Sequence, residues 1–381
     1  MSKHQQTEKL FSLKDLLFNE VKVKHLASEI SSVYPSFDTT SFTKKIVSAF
    51  PKQELMERIV GIREALREFL PTDYKEAVKI ILAALPPPLD PEKTDNDFGD
   101  FIYAPYSYYV AEYGCSKKYL SVSLKALAEI TKRFSAEAAL RNFLNQFPKE
   151  TLATALTWSK DKNYHVRRLA SEGTRPNLPW AKKITYESKS MLPLLDILYA
   201  DTTRYVTRSV ANHLNDISKF DPGLVIRKLK RWQKEKKQTE TELAFITKHA
   251  LRTLVKQGDQ NALQLLGFST VKIKLEKFEL ETVEVNIGTK LKFYFNLNSL
   301  GNKKQKLKLS YLIYFKKANG KLAAKVFDLG QREVMPNEEI LVTKEHPLRL
   351  MTTRTLYTGE HRIVLQVNGQ ILGMKTFWLL K

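Results

Sequence analysis

Apolar positions in the middle of the chain repeat with the spacing of stacked helices. Val166, Leu169 and Ala170 fall at positions i, i+3 and i+4, which lie on one face of a helix. The pattern recurs 40 residues further on, around Val206, and more weakly at the same offset around Ile246. Since a single repeat cannot bury its apolar face alone, this period predicts an array of stacked helical repeats.

Helical periodicity extends over most of the first 268 residues. Asp38 and Asp161 stand where a carboxylate can cap a helix, Pro51 can open one, and the prolines at 86–88 end another. The acidic stretch 89–99 is predicted to be a loop. Outside the duplicated pair, predicted helices span residues 10–34, 39–50, 52–69, 71–85, 121–134, 136–147, 148–159, 190–199, 221–236, 243–256 and 261–266.

After residue 268 the pattern changes to the alternation of apolar and charged residues that is typical of half-buried strands. Asn319-Gly320 and Asn368-Gly369 are predicted hairpin turns, because Asn and Gly tolerate a positive φ. An antiparallel β-sandwich of immunoglobulin-like architecture is the fold expected here. The predicted strands span residues 271–275, 291–297, 307–315, 323–329, 340–344, 360–367 and 375–380.

The sequence therefore predicts two domains, a helical-repeat domain over residues 1–268 and a β-sandwich over residues 269–381. The chain has a net charge of +21, which points to an anionic partner: nucleic acid, an acidic membrane surface or an acidic protein. Residues 269–381 contribute 20 Lys or Arg against 10 Asp or Glu. The sandwich is therefore expected to contact the same partner, with plain solubilisation as the alternative.

Cysteine usage and hydropathy indicate a soluble, cytoplasmic protein. Cys115 is the single cysteine, so no intramolecular disulfide can form, which fits a reducing compartment. The first ten residues are polar and carry no secretory signal, and the apolar run near 80–85 is too short to span a bilayer.

A second face of each repeat carries aromatic, cationic and hydrogen-bonding side chains. Stacking would align these faces into a continuous basic strip along the concave side of the array. The alternative is an ordinary i, i+4 salt bridge, Arg168 to Glu172, on a solvated face. The face comprises His165, Arg168, Glu172 and Arg175 in the first copy, Tyr205, Arg208, Asn212 and Asn215 in the second, and Phe245, Lys248 and Arg252 in the third.

No Gly-rich phosphate loop and no Cys/His cluster is present in the sequence, so no metal and no cofactor are predicted. The candidates for chemistry are three carboxylates near aromatic or basic residues: Glu112, Glu172 and Asp201. Trp158 and Trp180 flank the first copy of the repeat, and tryptophan on a basic surface can stack on a base or a sugar. Simpler roles remain open: a helix cap for Asp201, a hydrogen bond to a tyrosine for Glu112, and interhelical packing for the tryptophans.

Two stretches resemble motifs of the AlkC family of DNA alkylation-repair glycosylases. Residues 167–181 read Arg-Arg-Leu-Ala-Ser-Glu-Gly-Thr-Arg-Pro-Asn-Leu-Pro-Trp-Ala, and residues 208–216 read Arg-Ser-Val-Ala-Asn-His-Leu-Asn-Asp. The resemblance covers roughly residues 11–268, and some members carry an immunoglobulin-like C-terminal domain. It implies a HEAT-like α-helical solenoid followed by that β domain. One departure is Thr207, where the family usually has a second Arg beside Arg208.

The resemblance also implies a reaction, the hydrolysis of the N-glycosidic bond of a cationic alkylated base in double-stranded DNA. The expected substrate is chiefly 3-methyladenine, with 3-methylcytosine second, and the expected pathway is base excision repair. The protein is expected to be a monomer without membrane contact. It places Glu112, Glu172 and Asp201 near the lesion, where a carboxylate can stabilise positive charge on the sugar and orient water. The expected DNA contacts are Trp158, Arg167, Arg168, Arg175, Trp180, Arg208, Asn212 and Lys248.

Two other functions remain open on the sequence. One is a non-catalytic helical-repeat protein that binds nucleic acid. The other is a solenoid scaffold for an acidic protein. All three functions use the positive charge, and release of a free alkylated base separates the first from the others.

Overall fold

The computed structural model describes residues 12–95, 97–185, 187–350 and 355–381. Their contacts divide the chain into two compact units. The first comprises the chain up to Ile217 together with Lys236–Ala250, and the second comprises Ser218–Glu235 and Leu251–Lys381. Helices end and strands begin near the predicted domain boundary at residue 268. Three helices before that residue nevertheless belong to the second unit, so the boundary stays a prediction.

From Leu13 to Leu265 the described residues form helices and the loops that join them. Within the described residues, no helix is long and apolar enough to cross a membrane, and no group of three or more His, Cys, Asp or Glu is placed to hold a metal ion. Short 3₁₀ helices span Phe50–Lys52, Phe101–Tyr103 and Ser188–Met191. The α-helices are α1 Leu13–Leu17, α2 Glu20–Val33, α3 Thr39–Ala49, α4 Leu55–Phe69, α5 Tyr74–Ala83, α6 Ala104–Tyr113, α7 Leu120–Ile130, α8 Glu137–Gln146, α9 Pro148–Trp158, α10 Tyr164–Glu172, α11 Leu192–Leu198, α12 Arg204–Ile217, α13 Pro222–Glu235, α14 Glu240–Ala250, α15 Arg252–Gln257 and α16 Gln260–Leu265.

Capping residues decide where several helices begin. Asp38 caps α3 by accepting the Ser41 backbone N–H at 2.9 Å, which confirms that prediction. The predicted helix 10–34 is instead two helices, because Asn19 leaves helical geometry and caps α2. Residues 10 and 11 of that prediction lie outside the described residues.

Two further helix predictions are corrected by local backbone chemistry. Asn163, not Asp161, caps α10: its side chain accepts the His165 backbone N–H at 2.9 Å. Asp161 instead accepts the Asn163 backbone N–H at 2.7 Å, just before the helix begins. The predicted helix 243–256 is broken at Leu251, where α14 gives way to α15.

The three copies of the repeat stack as predicted. Helix α10 packs against α12, and α12 packs against α14. Val166, Leu169, Ala170, Val206 and Ile246 are all 0% exposed, so the apolar stripe read from the sequence is buried in the packed helices.

The second unit contains α13, α15, α16 and the β-strands. Two sheets have the strand orders β1-β3-β6 and β2-β8-β7-β4-β5. The pairs are antiparallel except β2 with β8, which is parallel and departs from the purely antiparallel prediction. The strands are β1 Ile273–Leu280, β2 Glu284–Asn286, β3 Lys290–Ser299, β4 Gln305–Lys316, β5 Leu322–Val334, β6 Glu339–Pro347, β7 Gly359–Val367 and β8 Gln370–Leu380.

The predicted turn between β7 and β8 is confirmed, and it also contacts α15 and α16. Asn368 and Gly369 have φ values of 44° and 79°. A Cβ added to Gly369 would lie 2.5 Å from the Gly258 carbonyl oxygen, so glycine is required at that approach. The Gln260 side chain donates to the Asn368 carbonyl at 3.0 Å. The two helices and this turn therefore form one packed structure.

His361 is a buried histidine in the sandwich core. Its burial predicts that the folded protein loses stability in acid. It is 0% exposed and lies against the Phe315 and Phe377 rings, at centroid distances of 5.8 and 5.4 Å. Burial and the Lys316 charge lower its pKa to about 4, while Glu360 acts in the opposite direction. The unfolded state therefore takes up a proton at higher pH than the folded state does, and stability is lost as pH falls below about 6.5.

We expect His361→Phe to reduce the loss of unfolding free energy between pH 7 and pH 5 by about 2 kcal/mol. The measurement is chemical denaturation of the full chain at both pH values. Phe377→Leu is the control, because it perturbs the same buried core without removing a titratable group, so its effect on stability should not change with pH. An unchanged pH dependence in His361→Phe would show that this histidine does not titrate in that range.

Candidate active site

The face of α10 predicted to form an exposed basic strip is buried. His165, Arg168 and Glu172 are 4%, 6% and 5% exposed, and Arg175, which lies just after the helix and not on it as predicted, is 8% exposed. A charged side chain at this depth has lost its water and must be stabilised by partners inside the protein. The prediction of a solvent-facing row of cations is therefore wrong for this helix.

Two arginines and three carboxylates form one network between α8, α10 and α12. Arg168 Nη1 donates to Glu137 Oε2 at 2.9 Å, and its Nη2 lies 3.8 Å from Glu172 Oε1. Arg175 donates to the same Glu172 oxygen at 2.5 Å and to Asp216 Oδ2 at 3.0 Å. The Glu172 carboxylate thus lies between two guanidinium groups, with a further carboxylate beyond each of them.

Helix ends position these carboxylates. Glu137 is the first residue of α8, Glu172 is the last of α10, and Asp216 is in the last turn of α12. A carboxylate at the C-terminal end of a helix is disfavoured by the helix dipole, and burial disfavours it further. Arg168 and Arg175 offset both effects at Glu172.

The two glutamates have pKa values displaced in opposite directions. Burial raises the pKa of Glu137, Arg168 opposes this effect, and the charge of Glu172 adds to it. Burial also acts to raise the pKa of Glu172, but Arg168, Arg175 and a hydrogen bond from Ser209 outweigh it, so the net shift is downward. One carboxyl group is therefore held ionised while its neighbour is more readily protonated, an arrangement suited to dividing two roles in catalysis.

Glu137 is absent from the sequence-based candidates. It precedes Arg168 by 31 positions and belongs to no copy of the repeat, so no periodic pattern links the two. An acidic residue in the first turn of a helix is also ordinary, because it complements the helix dipole there. Asp216 lies within the second motif, but its pairing with Arg175 depends equally on tertiary structure.

Glu112 is not brought into this network. Its side chain is 50% exposed and pairs with Arg63 at 3.1 Å. It lines a polar cleft of about 470 Å³ together with Asn142, Asn145 and Lys182. Its catalytic role stays a prediction.

Asp201 organises the chain before α12. Arg167 donates to its two carboxylate oxygens at 2.5 and 3.0 Å, and the Thr203 backbone N–H donates at 2.8 Å. The Asp201 side chain is 4% exposed. These contacts favour the structural alternative for Asp201, and they also occupy the Arg167 guanidinium.

The remaining cations and amides of the predicted strip have different environments. Arg208 forms an ion pair with Asp95 and is one-third exposed. Asn212 Oδ1 lies 2.8 Å from His249 Nε2. Lys248 is exposed. The strip is therefore interrupted, and its members are not equally accessible to a phosphate.

The acidic loop predicted at 89–99 covers the N-terminal ends of α10 and α12. The Tyr205 backbone N–H donates to the Thr94 carbonyl at 2.8 Å, and the Tyr164 hydroxyl donates to the Asp90 carbonyl at 3.2 Å. The Phe98 ring packs edge-on against Tyr205, at a centroid distance of 5.4 Å. This covering explains why the Tyr205 position of the strip is buried.

The two candidate tryptophans have opposite environments. Trp158 is 8% exposed, which favours its role in packing between helices. Trp180, in the segment after α10, is 85% exposed and has a φ of 59°. A left-handed backbone conformation is unfavourable for a bulky residue, so contacts elsewhere must hold this segment in shape.

Comparisons with known proteins agree with this architecture. The family profile described as DNA alkylation repair enzyme matches residues 116–254, and the C-terminal Ig-like domain of the uncharacterised protein YhaZ matches residues 274–381. The chain is 34% identical to the uncharacterized protein YhaZ of Bacillus subtilis over 360 residues, which is 93% of this chain and 96% of that protein. A solved structure of Pseudomonas fluorescens alkylpurine DNA glycosylase AlkC, bound to DNA containing an abasic site analog, matches with a TM-score of 0.85 and 35% identity, over 97% of this chain and 100% of that chain.

The chain belongs to the AlkC family. This confirms the resemblance drawn from the motifs at 167–181 and 208–216. It also confirms the fold class, a helical N-terminal part followed by an immunoglobulin-like β domain. The AlkC match spans both parts, and the profile match at 116–254 includes α8, α10 and α12, which carry the buried network.

We expect Asp216→Ala to lower the free energy of unfolding by about 3 kcal/mol, because it removes one of the two carboxylates that pair with buried Arg175 and leaves its Nε donor without that partner. Glu68→Ala is the control, since it breaks an exposed ion pair with Lys45 and should cost less than about 1 kcal/mol. Denaturant titration followed by far-UV circular dichroism measures both. Equal effects in the two variants would contradict the importance of the buried network.

Proposed function

We propose that this chain is a DNA glycosylase that excises cationic alkylated bases from double-stranded DNA by hydrolysing the N-glycosidic bond. The observation that carries the proposal is the buried Glu172 carboxylate, which lies between the Arg168 and Arg175 guanidinium groups with the Glu137 carboxyl group beyond Arg168. The alkylation-repair profile and the match to an alkylpurine glycosylase support it. The proposed substrate is chiefly 3-methyladenine, with 3-methylcytosine second, and the proposed setting is base excision repair.

The chemistry of a cationic base fits the residues of the network. Such a base already carries the positive charge that makes it a good leaving group, so its departure needs no general acid. As the bond stretches, positive charge develops on the deoxyribose. An oriented anion in a site that excludes water stabilises that charge strongly, and Glu172 is the proposed anion.

Glu137 is the proposed base toward the attacking water. Its side chain is 24% exposed, compared with 7% for Glu172, so it is the more accessible of the two. Its raised pKa favours acceptance of a proton from water as the water attacks the sugar. Asp216 supports the pair indirectly, because it holds Arg175 against Glu172.

The proposed DNA contacts differ from those expected from the sequence. Arg167, Arg168 and Arg175 are engaged by carboxylates and would have to leave them to reach a phosphate. We assign the contacts to exposed groups instead. These are Trp180 for stacking, and Lys182, Lys183 and Lys248 for phosphates.

We expect Glu172→Gln and Glu137→Gln each to slow base release by about 100-fold or more, because removal of one preorganised electrostatic group has that effect in other enzymes. DNA affinity should change little. The assay scores free alkylated base released from methylated duplex DNA. Glu112→Gln is the matched control, because it makes the same change at an exposed carboxylate.

Other results would lead to different conclusions. If both glutamine variants release base at the wild-type rate, the catalytic assignment is wrong. If Glu112→Gln alone is slow, the site lies at the cleft beside Glu112. If the wild-type chain binds DNA and releases no base, the chain is a non-catalytic nucleic-acid-binding protein.

A further inference from the structure

One face of α8 connects the buried network to the segment that carries Trp180. Glu137, Arg141 and Asn145 are spaced four residues apart, so they lie in a row along the helix. Glu137 contacts Arg168 in the network. The other two side chains contact the backbone of residues 173–185, here called the Trp180 loop.

Arg141 is buried beneath the Trp180 loop, contacts it on both sides of Trp180, and is 0% exposed. Its guanidinium donates to the carbonyl oxygens of Lys182 at 2.8 Å, Pro176 at 3.3 Å and Gly173 at 3.4 Å. It also donates to the carbonyl of Arg175. A buried cation is costly unless its donors are satisfied, and here loop carbonyls satisfy them.

Arg141 remains cationic at neutral pH. Burial and the neighbouring charge of Arg175 lower its pKa to about 10, and Asp216 opposes that shift. The hydrogen bonds to the loop are therefore charge-assisted, which makes them stronger than bonds from a neutral donor.

Asn145 holds the second half of the Trp180 loop. Its Nδ2 donates to the Lys183 carbonyl at 2.9 Å, and its Oδ1 accepts the Thr185 backbone N–H at 3.1 Å. Both ends of the amide are thus engaged by the loop backbone. Arg141 therefore holds the loop on both sides of Trp180, and Asn145 adds two bonds on the C-terminal side.

The loop presents two functional groups at once. Trp180 projects outward with 85% of its surface exposed, from a left-handed backbone conformation that the loop must maintain. Arg175, near the start of the loop, reaches Glu172 at 2.5 Å. A displacement of the loop would therefore move both the aromatic side chain and the partner of the carboxylate.

We propose that Arg141 and Asn145 are positioning residues that hold the Trp180 loop, so that Trp180 stacks on DNA in fixed relation to Glu172. This inference rests on the proposed function for its DNA partner. Helix α8 then positions both the Glu137 carboxyl group and, through the loop, the Trp180 side chain. The two residues bond to the loop backbone and act through the loop.

The test is a double-mutant cycle between Asn145 and Trp180. Asn145→Ala should weaken binding to methylated duplex DNA about 5-fold, because a lost hydrogen bond pair is worth about that much. In a Trp180→Ala background the same change should have less than about a 2-fold effect. The matched control is Asn142→Ala on the same helix, whose amide donates to the Ala111 carbonyl at 3.3 Å and not to the loop.

A kinetic comparison separates positioning from general destabilisation. Asn145→Ala should raise KM and leave kcat nearly unchanged, because Glu172 keeps its partners. Arg141→Lys keeps the charge but loses the planar set of donors. This variant should therefore raise KM and also lower kcat about 10-fold. Circular dichroism confirms that each variant is folded.

A spectroscopic readout tests the loop without any reference to DNA repair. A Trp378→Phe background leaves Trp180 as the exposed tryptophan beside the buried Trp158 and Trp232, and a Trp180→Phe variant measures the signal of those two. After that signal is subtracted, Asn145→Ala should lower the fluorescence anisotropy of Trp180 and Asn142→Ala should not. If this change occurs while the wild-type chain fails to bind DNA, the proposed function fails and the positioning of the loop stands.

Two results would overturn the positioning role. One is equal weakening of DNA binding by Asn145→Ala in the presence and absence of Trp180. The other is an unchanged Trp180 anisotropy in both Asn145→Ala and Arg141→Lys.

Discussion

The helical unit depends on the burial of one carboxylate between two guanidinium groups. Glu172 lies at the end of a helix that disfavours its charge and is shielded from the water that would otherwise solvate it. Arg168 and Arg175 keep it ionised, and they in turn need Glu137 and Asp216. Because these residues come from α8, α10, the segment after α10 and α12, the charge balance specifies how those helices must pack.

The same constraint explains what the sequence could and could not predict in the repeats. Val166 and Leu169 follow the 3.6-residue period, and their burial between stacked helices is readable without coordinates. Arg168 follows the period equally well, but whether it faces water depends on a carboxylate from α8. The pairing with Glu137 joins non-equivalent helices, so no repeat of the pattern reports it.

In the second unit, the sequence predicted the structure where the backbone conformation restricts which residues can occupy a position. The Asn368-Gly369 turn needs two positive φ values, and that requirement is visible in the sequence. Strand β2, Glu284–Asn286, has three residues, which is too few to show an alternation, and its parallel pairing with β8 depends on tertiary structure. The assignment of α15 and α16 to this unit likewise depends on contacts with a distant turn.

Those contacts bear on how the β domain can be exchanged between proteins. Gly258 and Gly369 approach so closely that neither tolerates a side chain without rearrangement, and Gln260 bonds to the same turn. The transferable module therefore starts upstream of the first strand. A recombination event, natural or engineered, that joined a foreign sandwich at residue 268 would leave α15 and α16 facing a turn they had not evolved to fit.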